Sequence, residues 1–483
     1  MGFWLAFLIC CAGVAALFYL DRDPSTRISR TLWLPVIWIW IIGSRPVSAW
    51  LEAWFGLGQQ ASGGSLDAQL DGSPADAIVL AGLLAGGIVI LFRRKTQTSA
   101  LLKASVPLLL YFGYCVASVS WSPYPGVAFK RWIKAIGDLV MVLLIVTGTN
   151  PIAALRHLFS RVGFILLPAS VLLIRYSPLG RGYDLDFKPM NTGVTTNKNT
   201  LGLITFVIAL GAVWNVRMLL RNRHVPNRSR RLLAQGALLV FGLAVLGMAN
   251  SATSILCFTL GTTLMTVAGL RWVRRRPSRM HTAVLAIALS VGVGMVFGAD
   301  EAIIHALGRK TDLTGRTQIW KTVIPMARNP VVGAGFESFW NASSARLHQF
   351  TGVDAPMFRN LVSAHNGYID VYLNLGWVGV CLIALILISS YWRAGQAFQR
   401  NPEIAGLMLA YIVTAAIYSI TEAGFRMLTP TWIFLVLAAV AASGVAHGIV
   451  NTNPLRPRGA RANRLSGPEI NPILGLSSMQ ERN

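Results

Sequence analysis

The chain has 483 residues, of which 54% are hydrophobic and only 13% are charged. A soluble chain would carry about 25% charged residues, and long apolar stretches recur here from end to end. The composition therefore excludes an ordinary soluble domain and indicates an all-α, polytopic integral membrane protein. The formal net charge of +24 would suggest nucleic acid for a soluble chain. In a membrane protein it indicates arginines that set topology and contact anionic membrane lipids, so we expect no nucleic-acid partner.

Thirteen apolar segments predict membrane-spanning helices along the chain. They lie near 3–20, 31–44, 77–92, 105–120, 134–149, 152–174, 201–219, 232–249, 253–270, 281–298, 376–392, 404–421 and 430–449. The first has no basic region before it, so we expect a retained helix and no cleaved signal peptide. The second is short enough to be interfacial, so we expect about 12–13 transmembrane helices. The segment 121–134 reads as an amphipathic interfacial piece.

These spans divide the chain into five expected regions. They are N-terminal helices at 1–100 with a flexible loop near 52–76, central helices at 101–298 with a polar loop at 175–200, one long and partly helical loop at 299–375, C-terminal helices at 376–449, and a disordered basic tail at 450–483. A loop as long as 299–375 is usually functional.

Basic residues predict the orientation of the chain in the membrane. If the spans alternate, RRK at 93–95, the arginine-rich segments 221–231 and 271–279, and the tail all fall on one side. That side is expected to be cytoplasmic, which places the loops 175–200 and 299–375 outside. The five cysteines lie within apolar segments without metal-like spacing, and nucleotide and HExxH motifs are missing. We therefore expect no zinc site, no disulfide framework and no cofactor.

The outer loop at 175–202 is unusually basic, with Arg175, Arg181, Lys188 and Lys198. It ends in GVTTNKNTLG (193–202), where Lys198 and Asn199 stand at the expected start of a helix. Exposed N–H groups at such a start favour an anion. The alternative is an Asn or Thr N-cap with solvated charges.

The second motif is TGRTQIWKTVIPMARNPVVGAGFESFW at 314–340. Thr311 or Asp312 would cap a helix that starts near Gly315 and carries Arg316 and Trp320 on one face, and a tight turn at 333–335 would end it. The Arg316 guanidinium suits a lipid diphosphate through a bidentate fork. Contact with ordinary lipid phosphate is the alternative.

The third motif is SAHNGYIDVYLNLGWVGV at 363–380. A helix here would form two neighbouring stripes, His365 with Tyr368 and Tyr372, and Asn366 with Asp370 and Asn374. A neutral imidazole can accept a proton from a sugar hydroxyl, and Asn366 or Asp370 could orient it or bind sugar. The alternative is an aromatic and polar belt at the head-group level.

Taken in order, GRTQIW, NPVVGAGFESFW and AHNGYIDVYLNLGWVG resemble the shared domain of O-antigen ligases and exopolysaccharide polymerases. GVTTNKNTLG resembles an upstream motif of the exopolysaccharide-production members. The resemblance covers roughly residues 100–440. It implies a multi-pass protein of the bacterial inner membrane with a large periplasmic loop, and a metal-independent, inverting glycosyltransferase. The donor would be an undecaprenyl-diphosphate-linked oligosaccharide, and the acceptor another glycan or lipid A-core.

The same resemblance implies roles for individual residues. His365 would be the catalytic imidazole, Arg316 would contact the diphosphate, and Arg181 is the best match to a second essential arginine. The expected substrate-binding residues are Lys198, Asn199, Trp320, Asn366, Tyr368, Asp370 and Tyr372. The family often has a glutamate before the glycine of the last motif, where this chain has Asn374, Leu375 and Gly376.

Two other classes of protein compete with the transferase. A flippase of lipid-linked glycans would place polar residues along a central path within the spans, whereas here they cluster in outer loops. A structural scaffold of a secretion complex would tolerate substitution of both His365 and Arg316.

Overall fold

The computed structural model describes residues 2–23, 28–56, 73–183, 187–276, 278–296, 313–341 and 361–450. Most of the predicted loop near 52–76, the predicted tail at 450–483 apart from Val450, and the predicted caps Thr311 and Asp312 lie outside these residues. The two strands within them, β1 (Arg181–Tyr183) and β2 (Pro189–Asn191), form a small antiparallel hairpin. All other regular structure there is helical, so the all-α prediction is confirmed.

The helices are numbered in chain order. They are α1 (Phe3–Leu20), α2 (Trp33–Ile42), α3 (Val47–Phe55), α4 (Pro74–Arg93), α5 (Lys95–Ala104), α6 (Val106–Ala117), α7 (Pro125–Val146), α8 (Pro151–Tyr176), α9 (Lys198–Arg221), α10 (Arg228–Ala249), α11 (Ala252–Ala268), α12 (Arg271–Arg275), α13 (Ser278–Val296), α14 (Leu313–Val323), α15 (Gly367–Arg400), α16 (Pro402–Thr421) and α17 (Pro430–Ala446). Short 3-10 turns lie at Arg30–Leu32, Ser118–Trp121, Pro178–Gly180 and Ile324–Met326.

The predicted apolar segments coincide with helices, which confirms a multi-pass membrane protein. Within the described residues, 7 helices are long and apolar enough to cross a membrane, or 9 if two bent pairs each form one span. The bent pairs are α2 with α3, at 72°, and α5 with α6, at 89°. The remaining predicted spans fall on α7, α11, α13 and α17. Helix α7 joins the predicted interfacial piece to the following span in one continuous helix.

Helix α17 lies at the centre of the core. Every residue from Pro430 to Val445 is buried, as expected for a helix that is apolar on all sides. The loop before it is held by Asp138 of α7, whose carboxylate accepts hydrogen bonds from Trp38 Nε1 at 2.8 Å and from the Leu428 N–H at 3.0 Å. Asp138 therefore ties α2 and α7 to the 422–429 loop.

Helix α15 is interrupted at Gly376, where φ is 63° and ψ is −167°. The break leaves backbone N–H and C=O groups of α15 without partners inside the helix, and the segment 330–335 forms hydrogen bonds with them. Four hydrogen bonds join the two segments: Ala334 N to Leu373 O (3.1 Å), Gly335 N to Asn374 O (2.8 Å), Trp377 N to Pro330 O (2.9 Å) and Val378 N to Val331 O (3.2 Å). A Cβ at Gly376 would lie 2.2 Å from Val331 O, so only glycine fits.

This contact corrects the prediction for the turn at 333–335. We expected it to end the helix that carries Arg316, but α14 ends at Val323, ten residues earlier. The glycines at 333 and 335 have φ values of 72° and 101°. They let the chain approach the broken helix α15 closely, which residues with side chains would prevent.

Candidate active site

Glu422, the residue that follows α16, joins three of the predicted site residues. Its Oε1 accepts hydrogen bonds from Arg316 Nη2 at 2.7 Å and from Asn199 Nδ2 at 2.8 Å. Its Oε2 lies 3.3 Å from His365 Nδ1. We call Glu422, Arg316, His365 and Asn199 the Glu422 cluster. It brings together the three motifs that stand far apart in the sequence.

Two helix ends position His365 beside Glu422. The Asn366 side chain caps α15 by accepting from the N–H groups of Tyr368 and Ile369, and its Nδ2 donates to Ile420 O in α16 at 2.9 Å. The Gly367 N–H donates to Glu422 O at 3.0 Å. The start of α15 is thereby bonded to the end of α16. His365 precedes the cap with φ of 49°, so the prediction that it shares a helical stripe with Tyr368 and Tyr372 is wrong.

The contact with Glu422 defines the chemistry of the imidazole. A carboxylate only accepts hydrogen bonds, so His365 Nδ1 carries the hydrogen and the lone pair of the neutral ring lies on Nε2. The His365 side chain is 42% exposed, whereas the Arg316 and Glu422 side chains are 21% and 11% exposed. The imidazole is therefore the most exposed of these three side chains. Among the described residues there is no group of three or more His, Cys, Asp or Glu side chains that could hold a metal ion.

Asp370 belongs to a different group of contacts. Its carboxylate accepts from Trp340 Nε1 at 3.0 Å, from Ser363 Oγ at 2.9 Å and from the Ala364 N–H at 2.8 Å. Ser363 Oγ in turn accepts from the His365 N–H at 2.9 Å. Two roles were expected for Asp370, orienting the imidazole or binding sugar. In the structure its carboxylate holds the backbone just before His365, and its contact with sugar stays a prediction.

Glu337 and Arg426 continue this second group. Arg426 Nε donates to Glu337 Oε2 at 3.0 Å, and its Nη1 donates to Val362 O at 3.2 Å. Arg131, which is fully buried, donates to Glu337 O and to Asn341 Oδ1. We call Asp370, Glu337, Arg426 and Arg131 the Asp370 brace. It connects α7, the 330–341 segment, the residues before His365 and the 422–429 loop.

The predicted aromatic residues use their polar atoms within the protein. Trp320 Nε1 donates to Ala364 O at 2.8 Å, so this tryptophan also fixes the backbone just before His365. Tyr368 Oη donates to Ala416 O at 3.0 Å, and the Tyr372 ring packs against Trp377 with centroids 5.3 Å apart. In this state they support the backbone around His365, and their contact with sugar stays a prediction.

The basic loop 175–202 contributes one residue to the Glu422 cluster. Lys198 begins α9, which Asn197 caps by accepting from the Thr200 N–H at 2.8 Å, so the capping interpretation is correct for Asn197. The next residue, Asn199, reaches Glu422. Arg181 is exposed in β1, opposite Asn191. Among the described contacts none joins the side chain of Arg181 or Lys198 to the cluster, and their role at the diphosphate stays a prediction.

Sequence reasoning missed Glu422, Glu337 and Arg426. It placed Arg131 in the interfacial segment 121–134, facing anionic lipid, which is wrong because the residue is fully buried. Glu422 had one available signal, since it is an acidic residue directly after the apolar segment 404–421. Glu337 and Arg426 lie 89 residues apart, and no spacing rule pairs them. Such groups become visible only when the partners are brought together.

Comparison with known proteins agrees with this geometry. Residues 237–384, which include Arg316 and His365, match the family described as O-Antigen ligase. The chain is also similar to the exopolysaccharide production protein ExoQ of Rhizobium meliloti (strain 1021), with 22% identity over 327 residues, 66% of this chain and 71% of that protein. Both matches support the resemblance that the motifs indicated: the chain is similar to the O-antigen ligase family and to an exopolysaccharide production protein.

Proposed function

We propose that the protein is a glycosyltransferase of the periplasmic membrane face, which transfers or polymerises glycan from an undecaprenyl-diphosphate carrier. The observation that carries the proposal is the convergence of Arg316, His365 and Asn199 on Glu422. A guanidinium and an accessible imidazole held by one carboxylate are the groups that displacement of a diphosphate by a hydroxyl requires.

His365 acts on the acceptor in the proposed mechanism. Its Nε2 takes the proton of the acceptor hydroxyl while the hydroxyl oxygen bonds to the anomeric carbon. Glu422 holds the ring in the tautomer that leaves Nε2 basic and stabilises the imidazolium that forms, as a carboxylate does for other catalytic histidines. Attack from the face opposite the leaving group inverts the anomeric configuration.

Arg316 acts on the donor. As the bond from the anomeric carbon to the diphosphate oxygen breaks, negative charge grows on the diphosphate, and a guanidinium beside it stabilises that charge. The leaving group is already good, so the step needs neither a strong general acid nor a metal. Arg181, in the loop that leads to Asn199, is the proposed second contact of the diphosphate.

The polymerase branch is favoured over the ligase branch by two observations. The GVTTNKNTLG motif contributes Asn199 to the cluster, and the relative named above is an exopolysaccharide production protein. The proposed acceptor is therefore the end of another lipid-linked glycan, with lipid A-core as the acceptor of the ligase branch.

A deletion strain complemented with variants tests the proposal. We study cells that carry His365→Ala or Arg316→Ala at the wild-type protein level. In them we expect single lipid-linked repeats to accumulate on the periplasmic face of the inner membrane, with no polymer. Intact polymer retained on its carrier would instead indicate a ligase. Accumulation on the cytoplasmic face would indicate a flippase, and wild-type glycan from both variants would contradict a transferase.

A further inference from the structure

An apolar groove lies between α8 and α10, apart from the Glu422 cluster. Its volume is about 520 Å³, within the range of small-molecule sites, about 300–1,000 Å³. Val171 contributes from α8, and Val240, Phe241, Ala244, Gly247 and Met248 contribute from the last turns of α10. Both helices are long and apolar enough to cross a membrane, and Val240 on the groove is 67% exposed, as lipid-facing residues are.

The groove has one charged lining residue, at one end. Arg175 stands in the last turn of α8 and is exposed. The β-hairpin lies over the same end, because Asn191 Nδ2 of β2 donates to Met248 O at 2.9 Å. Arg181 and Tyr183 on β1 are also exposed, and exposed tyrosines are typical of the head-group level. An apolar groove that ends at the Arg175 guanidinium matches a lipid chain whose head group is anionic.

The position of the groove decides which lipid it fits. The carboxyl end of α8 leads through the hairpin to α9, whose first turn carries Asn199, so the groove opens on the same membrane side as the Glu422 cluster. None of its lining residues contacts the cluster among the described contacts. A lipid seated there would lie beside the reacting groups and would not be consumed by them.

We propose that this groove binds an anionic glycerophospholipid of the bilayer, with one acyl chain along α10 and the phosphate at Arg175. The proposal does not depend on the transferase reaction. It predicts a preference for phosphatidylglycerol over phosphatidylethanolamine, because both have a phosphate and only the first keeps a net negative charge.

Helix α10 offers a matched pair of substitutions for the test. A Cβ added at Gly247 or at Gly236 meets no atom within 4 Å, so a side chain can start from either position without a clash. The two glycines are eleven residues apart, which places them on nearly the same face of the helix and about 16 Å apart along it. Gly247→Leu fills the groove, whereas Gly236→Leu adds the same side chain below it.

Native mass spectrometry of the purified full-length protein, titrated with phosphatidylglycerol or phosphatidylethanolamine, measures the binding. We expect wild type and Gly236→Leu to retain one phosphatidylglycerol preferentially and Gly247→Leu to lose it. Arg175→Gln should weaken phosphatidylglycerol binding about five-fold, the contribution of one basic residue near a membrane surface. Arg393→Gln, at a half-buried arginine near the far end of α15, should leave it unchanged.

Three results would overturn the proposal. Wild type could bind the two phospholipids equally, or the two leucine variants could lose phosphatidylglycerol to the same extent. Displacement of phosphatidylglycerol by an equal concentration of undecaprenyl phosphate would assign the groove to the glycan carrier instead. Because Arg175 is exposed, its variant gives a readable result even if Gly247→Leu fails to fold.

Discussion

Two groups of charged residues flank the segment before α15, and they differ in what their polar atoms contact. In the Glu422 cluster the His365 imidazole contacts Glu422 through Nδ1, while 42% of its side chain is exposed. In the Asp370 brace, the Asp370 carboxylate accepts three hydrogen bonds from the protein, and Arg131 is fully buried. The same residue types therefore serve two purposes.

The difference shows how to separate reacting groups from supporting ones. A side chain that is fixed at one end and accessible at the other can act on a ligand. A side chain whose hydrogen-bonding atoms all contact the protein acts through the groups that it holds. Asp370 and Glu422 are both acidic and both act near His365, so comparing their variants tests this distinction directly.

The largest expected effect is that of His365→Ala. Removal of a general base lowers the rate by about 10²- to 10⁴-fold, and we expect that loss in a polymer-forming assay with purified protein and lipid-linked repeats. His281→Ala is the matched control, because His281 bonds to Tyr391 far from the cluster. An equal loss in both variants would show that the effect is not local.

Glu422→Gln should have the next largest effect. The amide keeps the size of the side chain but removes the charge that holds Nδ1–H and balances Arg316. We expect a loss of about 10- to 100-fold, as for residues that orient a catalytic histidine or metal ligand, with little change in thermal stability. A wild-type rate from this variant would argue against the Glu–His pair.

Asp370→Asn should behave in the opposite way. It leaves one of three donors around that carboxylate without an acceptor, which costs about 1–3 kcal/mol of the free energy of unfolding. We expect a lower melting temperature in detergent. When equal amounts of folded variant and wild-type protein are compared, the loss of activity should be modest. If Asp370→Asn removed activity as completely as Glu422→Gln at an unchanged melting temperature, the distinction between cluster and brace would fail.

Gly376→Ala tests the break in α15 that brings the 330–335 segment against it. The new Cβ would meet Val331 O, and the residue would keep a left-handed φ, so we expect a loss of about 1–3 kcal/mol or more from backbone strain alone. Gly113→Ala in α6 is the control, since a Cβ there meets no atom within 4 Å. Similar melting temperatures for the two variants would contradict this account.

The smallest effect is expected for Arg181→Gln. Its side chain is exposed and among the described contacts does not reach the cluster. We expect a smaller effect than that of Arg316→Ala. The donor concentration needed for half-maximal rate should rise, while the maximal rate stays unchanged. A loss as large as that of Arg316→Ala would place both arginines at the diphosphate during the reaction.

Local patterns predicted much of the fold and part of the site. The apolar segments became helices at nearly the expected positions because each helix satisfies its own backbone within one segment. Arg316 and His365 were expected at the site from motif resemblance, and the structure places both against Glu422. The helical stripe assigned to His365 was wrong, because Asn366 caps the helix and puts His365 outside it.

The sequence by itself determined that this is a multi-pass helical protein, and resemblance pointed to the three motifs of the candidate site. Only the tertiary structure decided what joins those motifs. Glu422 meets His365, Arg316 and Asn199 across separations of 57, 106 and 223 residues. Helical periodicity describes neighbours within a few turns, so it contains no information about contacts at such distances. Packing of α9, α15 and α16 supplies that information.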